Sequence, residues 1–226
     1  MENFINCIFV SNEIWIQNCF EIFPHDLNRR FLKLKVVLEH ESVLCLNKNA
    51  LINMRITPII RFADIKDLSS IVEIYNQAIR SNSATGDMIE FTVAQRVDWF
   101  NSFDHASFPI YTAEFNNRVV GYATLSPYRK GRQAMNKVAE ISFFIDYSYH
   151  GLGIGSALVS YAISDCERIG KESLLAILLD INPESVRLLK KFSFEEWGYL
   201  PDIIDFNGQK CGHLIYGLNL KNRKDE

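Results

Sequence analysis

Apolar positions in the second part of the chain follow two rhythms. Leu68, Ile71, Val72, Tyr75 and Ile79 recur at three- and four-residue intervals, which predicts an amphipathic helix. Asp64, just after the β-rich run Ile56–Phe62, can cap it. Ser81–Asp87 has loop chemistry, and Thr92 predicts the cap of a second helix bearing Val93, Val97 and Phe100. Strand patterns follow: Pro109–Phe115, a tight Asn116-Asn117 turn, then Val119–Leu125. Ser126–Lys137 is polar. Val138–Asp146 predicts a further strand, with Ile141, Phe143 and Ile145 on one face and Glu140, Ser142 and Phe144 on the other. A glycine-rich turn leads into a helix from about Gly155 to Ile169, which Gly170 stops. Ser173–Leu179 reads as a buried strand, and Asn182-Pro183-Glu184 opens a helix running to about Phe192. Phe194–Tyr199 and Lys210–Leu220 read as two last strands, with an Asn207-Gly208 turn between them. The order β-α-α-β-β-β-α-β-α-β-β predicts an α/β (α+β) domain, a mixed sheet with helices on its faces.

The first 53 residues differ. They hold no glycine, whereas all eleven glycines of the chain come later, and they hold three of its five cysteines. Lys33–Val37 alternates like a strand, and Ile14–Phe23 and Phe31–Leu38 are apolar-rich, but short runs of this kind do not assign themselves. Three readings stay open: an extension packed on the domain, a poorly ordered arm, or sequence upstream of a start at Met54, since Met54–Arg61 itself reads as a first strand. The expected division is an extension at 1–53, a domain at 54–220 and a polar tail at 221–226.

Composition narrows the function classes. Hydrophobic residues make up 48% and charged residues 23%, enough to build a real core. With 24 basic and 27 acidic residues the net charge is −3, which gives no case for a nucleic-acid or anionic-membrane surface. No run of about 18 apolar residues predicts a spanning helix, and Glu2 stands where a secretory leader carries its positive cluster. The scattered cysteines lack CxxC spacing, so free thiols in a reducing cytoplasm are expected, with no metal site.

The chemistry gathers around His150-Gly151-Leu152-Gly153-Ile154-Gly155-Ser156, between an apolar strand and an amphipathic helix. Glycines there let a ligand approach the backbone and allow positive φ. The first helical N–H groups lack internal acceptors and the helix dipole favours an anion, so a diphosphate suits the turn. Alone, the turn could equally be a tight strand–helix connection. It is not a P-loop, because Ser156-Ala157 follows where Lys-Ser/Thr is required. Nor does a G-x-G-x-G turn after a fourth strand match the dinucleotide fingerprint.

Taken with its surroundings, the turn resembles the acetyl-CoA motif of the GNAT superfamily of N-acetyltransferases, [Arg/Gln]-x-x-Gly-x-[Gly/Ala], with His150 in place of Arg or Gln. Further blocks resemble the subgroup that acetylates phosphinothricin and methionine sulfoximine or sulfone. They are Ile74-Tyr75-Asn76, Ser83-Ala84-Thr85, Thr92 with Arg96 and Trp99-Phe100, Gly121-Tyr122-Ala123, Ser126-Pro127-Tyr128-Arg129, Ala139-Glu140-Ile141-Ser142 and Asn182-Pro183-Glu184-Ser185. The likeness covers about Ile56 to Leu220. It implies the GNAT fold, a mostly antiparallel mixed sheet of six to seven strands with helices on both faces, and a homodimer.

The resemblance also implies roles. Acetyl-CoA is the expected cosubstrate, held by the backbone of Phe143, Phe144 and Ile145, by Gly151, Leu152, Gly153, Ile154, Gly155 and Ser156, and by Asn182 and Ser185. Asn182 could also simply cap its helix. Glu140 is the expected general base; a solvated carboxylate, or one paired with Arg129, is the alternative. For a small-molecule amine acceptor, Arg129 offers paired hydrogen bonds to a carboxylate, though it could equally be a solvated loop arginine, with Arg132 a second choice; Tyr75, Thr85 and Phe91 could line the pocket. Two departures matter. Leu189, before Ser193-Phe194, stands where relatives carry a Tyr or His able to protonate the thiolate, and Met135 stands where the subgroup has Tyr. The expected activity is acetylation of an amino acid or analogue; a peptide α-amine acetyltransferase and a non-catalytic acyl-CoA sensor are the alternatives.

Overall fold

The computed structural model describes residues 7–10, 13–16 and 57–221. The chain divides into two units, Met1–Asn47 and Lys48–Glu226. In the first, β1 (Cys7–Val10) pairs antiparallel with β2 (Glu13–Ile16). The strand pattern at Lys33–Val37 and the start at Met54 lie outside the described residues.

The second unit is a seven-stranded sheet with helices on both faces. Its elements are β3 (Ile59–Phe62), α1 (Leu68–Ser81), α2 (Val93–Asn101), β4 (Ile110–Phe115), β5 (Arg118–Pro127), β6 (Val138–Ile145), α3 (Ile154–Asp165), β7 (Ser173–Leu179), α4 (Pro183–Lys191), β8 (Glu195–Phe206) and β9 (Gln209–Asn219). Strand order is β3-β4-β5-β6-β7-β9-β8, antiparallel except for β6 against β7. This is the mixed, mostly antiparallel sheet predicted.

Local chemistry sets the boundaries. Strand β3 starts at Ile59, just after Pro58, which has no N–H to enter the ladder; Ile56 lies outside the described residues. Asp64 caps a 3-10 turn, Ile65–Asp67, that leads into α1. Thr92 and Gln95 form a reciprocal capping box on α2. Asn116 and Asn117 both adopt positive φ, 50° and 58°, as a tight hairpin turn requires. The α-helical part of α3 ends at Asp165, four residues short of the predicted Ile169; turns carry the chain on to Gly170 at φ 66°, where Lys171 N–H closes onto Cys166 O at 2.8 Å. Strand β8 runs seven residues past the predicted Tyr199. It passes Pro201 because it is the sheet's edge and carries a register shift between Leu200 and Ile204, the setting in which a strand tolerates proline.

The main core lies between the sheet and α3, where Leu158, Val159 and Ala162 pack on Ala123, Leu125, Ala139 and Ile141. On the opposite face Ile71 and Ile74 of α1 pack on Val119 and Tyr122. Cys166 and Cys211 are free, buried thiols, as expected for those two. Among the described residues no helix is long and apolar enough to cross a membrane.

Candidate active site

The site follows from a fork in the sheet. Strands β6 and β7 pair at only three positions, Val138 with Ser173, Ala139 with Leu174 and Glu140 with Leu175. Beyond Glu140 the strands part: β6 keeps β5 through Ile145, and β7 keeps β9 through Leu179. A cleft of about 1070 Å³ opens in the fork, walled by Ser142–Ile145 on one side and Ala176–Leu178 on the other, with Gly151, Gly153, Asn182 and Ser185 at its rim. The β6 backbone on the open side has no strand partner, so an extended ligand can lie there as an added strand.

The glycine turn closes one end. Gly151 and Gly153 stand at φ 77° and 92°, a region costly for other L-residues, and the space a Cβ would take at Gly151 is open. Ala157 N–H is the first in α3 to find an acceptor, Gly153 O at 3.1 Å. The N–H groups of Gly151–Ser156 thus have no protein acceptor among the described residues, at the positive end of the α3 dipole. The Leu152 side chain is half-buried and does not line the cleft, and the Ile154 side chain is buried in the core. Gly155 is needed for packing: a Cβ there would meet Leu188 Cδ2 at 2.9 Å.

Sequence reasoning missed Lys191. Its ammonium donates to Ser156 Oγ at 3.0 Å, so the C-terminus of α4 brings a cation to the orphan N–H groups. The Lys190-Lys191 pair was visible, but only the packing of α4 on α3 brings it there. His150, at the motif's divergent first position, has Nε2 3.0 Å from Ile145 O and its ring against Tyr147. It ties the turn to the end of β6. Asn182 caps α4, its Oδ1 accepting the Ser185 N–H at 3.1 Å, and both residues line the cleft. Leu189 is fully buried in the core and offers no proton.

Glu140 sits at the apex of the fork. Val138, Glu140, Ser142 and Phe144 share one face of β6, each roughly 7 Å from the next. Ser142 and Phe144 line the cleft; Val138, with Ser126, the register partner of Glu140, lines a second hollow of about 460 Å³. Glu140 therefore stands between the two. It has no hydrogen bond or ion pair with any described residue, and burial alone raises its pKa above the ordinary carboxylate value. The alternative of a pair with Arg129 is not formed: that guanidinium is exposed, against the Tyr128 ring at the hollow's rim.

The expected acceptor residues divide into two groups. Tyr75, Thr85 and Phe91 come together: Tyr75 Oη is 2.8 Å from Thr85 Oγ1 and donates to Asp87 at 2.5 Å, and its ring meets Phe91 and stands edge-on to Phe144. Burial and the Asp87 carboxylate push the Tyr75 hydroxyl up to about 12, so it stays protonated. Arg129 does not join them. It lines the hollow with Trp99, Phe103 and Met135. Arg96, prominent in the sequence without a role, lies over the rings of Tyr75, Phe91 and Trp99.

Comparison with known proteins gives the family. Residues 68–194 match the acetyltransferase (GNAT) family model. A Bacillus subtilis protein, YwnH, provisionally named a phosphinothricin acetyltransferase, is 35% identical over 71% of this chain and 98% of its own length. The L-methionine sulfoximine/L-methionine sulfone acetyltransferase of Salmonella typhimurium is 28% identical over 69% of this chain and 88% of its own. Among solved structures, a GNAT superfamily phosphinothricin acetyltransferase from Sinorhizobium meliloti in complex with AcCoA superposes with a TM-score of 0.69 at 26% identity, over 73% of this chain and 89% of that one. The chain belongs to the acetyltransferase (GNAT) family and is an N-acetyltransferase.

Proposed function

We propose that the protein transfers an acetyl group from acetyl-CoA to the amine of a small molecule, an amino acid or analogue, with Glu140 as general base. The observation that carries this is the position of Glu140: a half-buried, unpartnered carboxylate at the fork, between a cleft and a separate hollow. Acetyl-CoA fits the cleft. The orphan N–H groups of Gly151–Ser156 and the Lys191 ammonium suit its phosphates, and the unpaired edge of Phe143–Ile145 suits its amide-bearing arm. When bound it supplies an acetyl group already activated as a thioester.

The chain's own residues do the rest. The two chambers bring the reactants together in one geometry, an effect that can supply a large part of the rate of such a transfer. A Glu140 Oε takes the proton from the acceptor amine, and its raised pKa makes it a better base than an exposed carboxylate. Ser126, its register partner, faces the same region from the hollow side. Leu189 has no proton to give, so CoA would leave as the thiolate and take its proton from water. A homodimer is part of the same reading. The edge strand β8 exposes Trp197 (49%), Tyr199, Leu200 and Ile203 (55%), apolar surface that a second copy would cover; light scattering should give twice the chain mass.

Purified protein mixed with acetyl-CoA and a thiol reagent should release CoA with free amino acids but not without an amine. Binding of acetyl-CoA with no CoA release across the panel would replace this reading with that of an acyl-CoA sensor. Turnover confined to peptide N-termini would replace it with a peptide α-amine acetyltransferase.

A further inference from the structure

Eight arginines lie among the described residues. Arg61, Arg80, Arg118, Arg168 and Arg187 each pair with a carboxylate. Arg129 and Arg132 are exposed, where water meets their donors. Arg96 alone of the eight is half-buried and has no hydrogen-bond acceptor or anionic partner among the described residues. Its Cζ instead lies 4.0 Å from the ring centre of Trp99, 4.8 Å from that of Phe91 and 5.0 Å from that of Tyr75.

Such a cage is built, not accidental. Phe91 is fixed by Asn76, which donates to its carbonyl and accepts its N–H, both at 2.9 Å. Tyr75 is fixed by Thr85 and Asp87, and its ring rests on Phe144, a wall of the cleft. Trp99 is also a wall of the hollow. Aromatic faces attract the guanidinium as a cation but accept none of its in-plane hydrogen bonds. Five N–H donors in a fixed fork are left for a planar anion, and a carboxylate matches two of them at once. Asp87, the acid bonded to the cage, is already engaged by Tyr75.

We propose that Arg96, held by Tyr75, Phe91 and Trp99 behind the wall of the hollow, binds the carboxylate of the acceptor and so restricts the enzyme to anionic amines; Arg129, which lines the same hollow at its exposed rim, is the rival that the test separates. The inference rests on the reading of an amine acetyltransferase given above. It adds that charge at the far end of the acceptor, not the amine alone, decides what is acetylated.

The test compares free L-amino acids with their C-terminal amides on wild-type protein, Arg96→Gln, Arg96→Lys and Arg129→Gln. Wild-type protein should prefer acid to amide by about a hundredfold in kcat/KM, the scale of a lost paired hydrogen bond to a charge. Arg96→Gln should bring that ratio near one, and Arg96→Lys, which keeps the charge and the cage but loses the fork, should lower it about tenfold. KM for acetyl-CoA should stay within about twofold, and Arg129→Gln should keep the preference. A ratio preserved in Arg96→Lys, or lost in Arg129→Gln alone, overturns the assignment. If wild-type protein turns over amides and acids alike, the carboxylate site fails while the acetyltransferase reading stands. If it turns over neither, calorimetric titration of free amino acids into wild-type and Arg96→Lys protein still reads the site: weaker binding to the variant upholds it, and equal or absent binding overturns it.

Discussion

Replacing Glu140 by Gln is expected to lower kcat by about a hundred- to ten-thousandfold, the range over which a positioned base contributes, while acetyl-CoA binds as before. The side chain keeps its size and its place on β6 and loses only its capacity to take a proton. Steady-state kinetics with calorimetric titration of acetyl-CoA separates the two effects; a variant with unchanged kcat would remove Glu140 from the reaction. The pH dependence gives a second reading. Burial raises the Glu140 pKa, so the basic form is lost as pH falls through a value above that of a free glutamate, and kcat/KM should fall on that limb in the wild type. The limb should vanish from the residual activity of the Gln variant.

The same burial has a consequence for stability, opposite in sign. A carboxyl whose folded pKa is raised binds its proton more tightly in the folded state than in the unfolded one. Its ionised form therefore opposes folding at every pH above the folded pKa, and that penalty disappears below the unfolded value. Glu140→Gln should raise Tm at about pH 7 and lose that advantage as the pH is lowered through both values. Loss of activity joined to a gain in stability distinguishes a functional carboxylate from a structural one, whose removal would lower both.

Much of this was legible in the sequence because it is local. The alternation of β6 put Glu140, Ser142 and Phe144 on one face, and the Asn116-Asn117 and Asn207-Gly208 turns, the Thr92 cap and the limits of β7 follow from rules that span a few residues. The glycine turn was legible for the same reason: its positive φ angles need glycine at Gly151 and Gly153. What escaped depends on contacts between distant segments. Nothing around Lys191 says that α4 delivers it to Ser156, 35 residues earlier. Nothing in the run from Thr92 to Phe100 says that Arg96 meets rings from α1 and from the loop before α2. Nothing in the Ser126–Arg129 segment says that Arg129 lines a hollow at an exposed rim, apart from the cluster of Tyr75, Thr85 and Phe91. Strand β8 outran its prediction because edge strands tolerate proline, and edge position belongs to the topology, not to the segment.

Gly151→Val is expected to weaken acetyl-CoA binding about a hundredfold, roughly 2.8 kcal/mol, with a smaller loss of stability. At φ 77° a β-branched residue is strained, and its side chain would enter the open space above the turn, where the proposed phosphate site lies. Gly155 should behave differently although it belongs to the same motif. Its φ is ordinary, and an added Cβ would meet the end of the Leu188 side chain at 2.9 Å and Ile145 Cδ1 at 3.4 Å, both within the protein. Gly155→Ala should therefore lower stability by about 1 kcal/mol and affinity only a few-fold. Gly155→Ala should cost less in a Leu188→Ala background, where the clash is gone, than in the wild type, and Gly151→Val should cost the same in both. Thermal melts with calorimetric titration of acetyl-CoA on the wild type, on Leu188→Ala and on each glycine variant in both backgrounds read both quantities. A folded Gly151→Val protein that binds acetyl-CoA like the wild type would mean the turn holds no phosphate. Equal behaviour of the two glycine variants would mean that packing on α4 alone accounts for the motif.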